Sequence, residues 1–195
     1  MTVGAVPLCD PASRRYVDDV LNVLGELADV EGAFLVGSAA RGAFDAGKSD
    51  LDLVVVLARP LGAKRDAFVE RLRGLPCPAR NLELVAYVRG QQPPNFELNV
   101  SGGEERPDED PFWFILDAAL AQEHALPLRG GAAWSDFFAP VAGEAIRAAL
   151  HASLAWSERR PSDDRFARVH GVRARHYLEH GEWISKDQAS VELAP

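Results

Sequence analysis

A chain of 195 residues that is 47% hydrophobic and 26% charged has the composition of an ordinary globular protein, which excludes disordered and fibrous classes. Its net charge of −8 excludes a broad binding face for a phosphate backbone, so no nucleic-acid partner is expected, and a small cationic substrate suits it better. The length admits one α/β domain of about 100–120 residues followed by a smaller helical one.

In chain order, "DPASRRYVDDVLNVLGELADVEG" places Asp10 as an N-cap and Pro11 at the first helical position. Tyr16, Val20, Leu24 and Leu27 then share one face, predicting an amphipathic helix. "GAFLVG" reads as a short strand, and "SAARGAFDAGKS", with Gly37, Gly42 and Gly47 beside or within it, as a loop with one helical turn. "DLDLVVVL" predicts a second, central strand. "PLGAKRDAFVERLRGLP" repeats apolar residues at Phe68, Leu72 and Leu75 and predicts a helix, and "NLELVAYV" supplies a third strand whose lone charge is Glu83.

Past "RGQQPP" the pattern changes. "SGGEERPDEDP" reads as a Gly/Pro/acid loop, which sets an expected boundary between residues 1–103 and 104–195. Beyond it the sequence predicts helices and no further strand: "DPFWFILDAALAQEHAL", capped by Asp110 with Pro111 first, then "VAGEAIRAALHASLAWSERR" and "DDRFARVHGVRARHYLEHGEWI". The expected class is therefore α+β, a small mixed sheet flanked by helices and followed by a helical domain that closes a cleft. His176 and His180 are four apart, but no third ligand is near in sequence, so an exposed helix face is expected there.

Cys9 and Cys77 lack CxxC or metal-ligand spacing, so reduced thiols are expected. No apolar run approaches the roughly 20 residues that span a bilayer. The N-terminus lacks the charged-then-apolar order of a signal peptide, and a cytoplasmic location without a membrane partner is expected.

Asp50 and Asp52 are two apart, so on a strand both side chains leave the same face and can reach one divalent cation. That spacing suits Mg²⁺, which takes one or two carboxylates and completes its shell with water and phosphate oxygens. Gly37 and Ser38 follow the preceding strand, where small residues let backbone N–H groups and a hydroxyl approach phosphate.

The order of strand, Gly-Ser, eleven residues and DxD running into an apolar strand is more specific than either half alone. "GSAARGAFDAGKSDLDLVVV" resembles the GSxxRGxxxxxSDxDxxV signature of the nucleotidyltransferase superfamily that includes DNA polymerase β. Within that superfamily the chain looks most like the streptomycin/spectinomycin 3''-adenylyltransferases. "RNLELVAYV" resembles their third-acid strand, "ALAQEHALPLRGGAAWSDFFAPV" their next helix and turn, and "GEWISKDQAS" their "GKIxPKDxAA" segment.

The resemblance implies that Gly37 and Ser38, with Arg41 and Ser49 of the signature, hold the phosphates of ATP as co-substrate. It implies that Asp50 and Asp52 hold Mg²⁺ and that Glu83 is general base, third metal ligand or both. Arg173 and Lys186 would reach the ATP phosphates, and Asp163 and Trp156 would contact a cationic drug. The reaction implied is transfer of AMP to an aminoglycoside hydroxyl with release of pyrophosphate.

The chain departs from that pattern in the acidic loop at 102–110 and in ending nine residues after Lys186. A homodimer that completes the shortened helical domain would account for the second departure. The same departure motivates an alternative acceptor, a protein or another metabolite, as in toxin–antitoxin nucleotidyltransferases. A non-catalytic nucleotide-binding protein is the remaining alternative, and the presence of all three carboxylates weighs against it.

Overall fold

The computed structural model describes residues 10–129 and 131–193, so Cys9 lies outside the described residues, and Cys77 is a free thiol. Contacts divide the chain into two units, one of Met1–Glu109 with Leu120–Pro140 and one of Asp110–Ala119 with Val141–Pro195.

In the first unit, helix α1 spans Pro11–Leu27, and Asp10 caps it by accepting from the N–H groups of Ala12 at 3.1 Å and Ser13 at 2.9 Å. Strand β1 (Val30–Leu35) leads through the single turn α2 (Gly37–Ala40) to β2 (Leu51–Leu57). A 3-10 turn at Gly62–Lys64 and helix α3 (Arg65–Arg73) lead on to β3 (Leu82–Val88). Because the helix carries the chain back along the sheet, β2 and β3 run parallel, while every other neighbouring pair is antiparallel.

Three further strands complete the sheet: β4 (Leu98–Ser101), β5 (Glu104–Glu105) and β6 (Leu126–Arg129). The strand order is β5-β4-β3-β2-β1-β6, a mixed sheet with β2 in its interior. The sequence reading expected no strand here. The loop "SGGEE" is in fact a hairpin turn, with Gly102 at φ 61° and Gly103 at φ 75°, a backbone that L side chains adopt only at a cost. Strand β6 contains Pro127, which is tolerated because β6 lies at the sheet's edge.

Alternation along the strands decides what each face carries. Leu51, Leu53, Val55 and Leu57 of β2, with Leu82, Leu84 and Ala86 of β3, form one core with Tyr16, Val20 and Leu24 of α1 and Phe68 and Leu72 of α3. The opposite face is apolar at one end, where Phe34 meets the rings of Trp134 and Phe137 and Tyr87 meets Phe138. Its other end is polar.

The second unit is helical. It takes the first part of α4 (Pro111–His124), then α5 (Gly143–Glu158), α6 (Arg165–His180) and α7 (Lys186–Glu192). Phe112, Leu116, Ile146, Leu150 and Ala174 make its core. Val169 and Val172 of α6 with Ile184 and Ala189 make a second cluster.

His170 sits in this unit against the rings of Trp113 and Phe166, and its buried Nε2 has no hydrogen-bond partner among the described residues. Burial, reinforced by the charges of Arg173 and Lys186, pushes its pKa down to about 3. The unfolded chain binds this proton below about 6.5, and the fold refuses it until about 3, so stability is full above the first value and falls as pH drops toward the second. At about 1.4 kcal/mol per pH unit, acidification to pH 5 is expected to remove about 2 kcal/mol through this residue. Urea unfolding at pH 7.5 and pH 5 checks it: a His170→Phe variant should lose less stability than the natural chain over that interval.

Candidate active site

The polar end of the sheet's second face is a row across three strands. Register pairs Asp52 of β2 with Glu83 of β3, and Glu83 with Ser101 of β4, so the three side chains stand on one face. Asp50 precedes β2 by one residue, two before Asp52. Strand pairing sets Asp52 beside Glu83, and Asp50 lies near enough to Glu83 for its charge to act on that carboxyl.

Glu83 is held from one side. Ser101 Oγ donates to Glu83 Oε1 at 2.8 Å and Asn81 Nδ2 donates to the same oxygen at 2.9 Å. Both hydrogen bonds fall on Oε1, and Oε2 faces none of these donors. Burial pushes the Glu83 carboxyl above the usual carboxylate range; the Ser101 hydrogen bond pulls it back and the Asp50 charge adds to the rise. A positive charge brought near the row would oppose that rise.

Asp50 already has such a cation. Arg80 Nε donates to Asp50 Oδ1 at 2.9 Å and Arg80 Nη2 donates to Oδ2, the planar fork that matches a carboxylate. The Asp50 side chain is 12% exposed and that of Arg80 57%.

Gly37 begins α2 and lies against Asp52. Its φ is 64°, and a Cβ built there would stand 1.9 Å from Asp52 Oδ2, so only glycine fits. The N–H of Val36 donates to the Asp52 carbonyl at 2.9 Å, fixing this turn to β2. Ser38 is half-buried, and its carbonyl accepts from the N–H groups of Arg41 at 3.2 Å and Ala43 at 3.0 Å. Ser49 Oγ accepts from the Asp45 N–H at 3.1 Å, and the Ser49 carbonyl accepts from the Arg80 N–H at 3.1 Å. Ser49 therefore ties the loop before Asp50 to the segment before Glu83.

The donor set of the row is hard oxygen, which fits Mg²⁺. Among the described residues no three His, Cys, Asp or Glu side chains close around one point. The rings of His176 and His180 are tilted at 55° with centroids 4.6 Å apart, and among the described residues no third ligand joins them.

The remaining sequence candidates lie in the second unit. Arg173 is buried, and its Nε donates to the Ile184 carbonyl at 2.9 Å. Lys186 opens α7 and its Nζ lies 6.0 Å from the Phe166 ring centroid. Asp164, not Asp163, caps α6, accepting from the Ala167 N–H at 3.0 Å, and Asp163 is exposed. Trp156 packs edge-on to Trp113 at 5.3 Å, and the Arg160 guanidinium lies 4.7 Å from its ring centroid.

Arg80, Asn81 and Ser101 were not among the sequence candidates. Arg80 and Asn81 stand just before Glu83 in "RNLEL", a visible signal, whereas Ser101 is identified only by the β3–β4 register.

Residues 17–86 match the family model of the nucleotidyltransferase domain, a span that includes Gly37, Ser38, Asp50, Asp52 and Glu83. No curated protein matches the sequence. The fold is similar to that in the crystal structure of spectinomycin adenyltransferase AAD(9) from Enterococcus faecialis with ATP and spectinomycin. The TM-score is 0.77 at 17% identity, over 94% of this chain and 84% of that one. Among the described residues no helix is long and apolar enough to cross a membrane.

Proposed function

We propose that this chain, which carries the nucleotidyltransferase domain of an enzyme over residues 17–86, transfers AMP from ATP to a hydroxyl of a cationic, aminoglycoside-like acceptor. The observation that carries the reading is the Asp52, Glu83 and Ser101 row, with Glu83 hydrogen-bonded at Oε1 only and Asp50 beside it.

In this reading Glu83 Oε2 takes the proton of the acceptor hydroxyl as its oxygen bonds to the α-phosphorus of ATP and the bond to pyrophosphate breaks. Ser101 and Asn81 orient Glu83 by holding its other oxygen. Asp50 and Asp52 hold Mg²⁺, which when bound offsets phosphate charge and favours pyrophosphate as leaving group. Gly37, Ser38, Arg41 and Ser49 are assigned to the triphosphate, as are Arg173 and Lys186. Asp163 and Trp156 are assigned to the acceptor, where a carboxylate and an aromatic face suit an amine-rich molecule.

The likeness in fold to a structure that holds ATP and spectinomycin supports ATP as donor and a small acceptor. A cytoplasmic enzyme of this kind would confer antibiotic resistance by modifying the drug. Replacing both metal-site aspartates (Asp50→Asn with Asp52→Asn) is expected to reduce adenylylated product to background at any Mg²⁺ concentration, read by mass spectrometry of the acceptor. Full activity in that variant would contradict the mechanism.

A further inference from the structure

Arg80 has no part in the reaction as described, yet it occupies the carboxylate that the reaction assigns to a metal. Its two donors cover both oxygens of Asp50. A cation that takes the Asp50 carboxylate therefore competes with the guanidinium for it. Departure is easy on one side of the pair, because the Arg80 side chain is 57% exposed while that of Asp50 is 12% exposed. The carboxylate stays where the strand puts it; the arginine is the partner able to move.

Arg80 is also anchored in the right place for an exchange. Its own N–H donates to the Ser49 carbonyl, and Leu51 N–H donates to the Asn81 carbonyl at 2.8 Å, so the backbones beside Asp50 and Arg80 are laced together. A guanidinium released from Asp50 therefore remains beside the carboxylate row.

We propose that Arg80 is an exchange residue: it holds Asp50 while the metal is absent, yields that carboxylate to Mg²⁺, and then turns to the phosphates that arrive with the metal. This rests on the reading of Asp50 as a metal ligand. Two consequences follow from one side chain. Metal alone must displace a bidentate ion pair and binds weakly, whereas metal with nucleotide supplies the guanidinium with a new anionic partner. The site is thereby biased against bare cation and toward the metal–nucleotide complex.

The test is Mn²⁺ binding, followed by electron paramagnetic resonance on the full chain, with and without a non-hydrolysable ATP analogue. Arg80→Ala is expected to bind Mn²⁺ alone about fivefold more tightly, the size of losing one partly exposed ion pair as competitor. It is expected to bind Mn²⁺ with the analogue more weakly than the natural chain. Arg80→Lys keeps the charge and loses the fork, and it should retain part of the gain for bare metal. A general field effect would instead leave Arg80→Lys like the natural chain, and that result overturns the exchange. Equal tightening for both forms in Arg80→Ala also overturns it.

Asp50→Asn separates this inference from its foundation. If Asp50→Asn loses Mn²⁺ and Arg80→Ala leaves bare-metal affinity unchanged, the exchange is wrong and the metal site stands. If Asp50→Asn binds Mn²⁺ like the natural chain, the metal assignment is wrong and the exchange falls with it. Unaltered thermal unfolding of each variant excludes misfolding as the cause.

Discussion

Replacement of Glu83 by Gln is expected to lower kcat by about 10²–10⁴-fold, the contribution of a positioned general base. Gln has the same shape and keeps an oxygen for the Ser101 and Asn81 donors, so the row across β2, β3 and β4 should persist. What is lost is a basic oxygen. Burial raises the Glu83 carboxyl above its ordinary range, and the Ser101 and Asn81 hydrogen bonds oppose that rise without cancelling it. An amide has no proton-accepting counterpart at neutral pH. Steady-state kinetics with unchanged thermal unfolding would read this outcome, and near-natural kcat in Glu83→Gln would remove the carboxylate from the chemical step.

Gly37→Ala is expected to be almost as damaging, for a different reason. The new Cβ would stand 1.9 Å from Asp52 Oδ2 on a backbone with φ 64°. The left-handed backbone alone costs roughly 1–2 kcal/mol for an L side chain. The clash adds displacement of Asp52, and a shift of about 1 Å in a reacting constellation is worth about 10² in rate. Gly42→Ala is the control that separates the two effects. Gly42 has φ 70°, but a Cβ there meets nothing within 4 Å. Both variants should melt earlier, and only Gly37→Ala should lose activity by about a hundredfold. Equal activity loss in both would attribute the effect to backbone strain rather than to Asp52.

The comparison of sequence and structure divides along physical lines. Strands β1 to β3 and helices α1 and α3 were readable because each carries its own period of apolar residues. Glu83 stood out as a single charge in an apolar strand, and Asp50 and Asp52 as two acids at a strand's mouth. The pairing of β2 with β3 sets Asp52 opposite Glu83.

Strands β4 and β5 were hidden because they are four and two residues long and flank a Gly-Gly turn inside an acid-rich stretch. Strand β6 was hidden by Pro127, a residue that speaks against a strand unless an edge is available. The partners of the acids were hidden for a related reason. Ser101 lies 18 residues beyond Glu83, and only the β3–β4 register brings the two together.

AMP transfer to a small cationic acceptor releases one pyrophosphate for each acceptor modified. The purified chain would be given ATP and Mg²⁺ with streptomycin, spectinomycin and a panel of other aminoglycosides, with Glu83→Gln alongside. Pyrophosphate is expected to appear with a particular acceptor, to require Mg²⁺ and to be absent in Glu83→Gln. No release with any acceptor from a protein that still binds Mg²⁺-ATP would contradict this and move the acceptor to another chemical class.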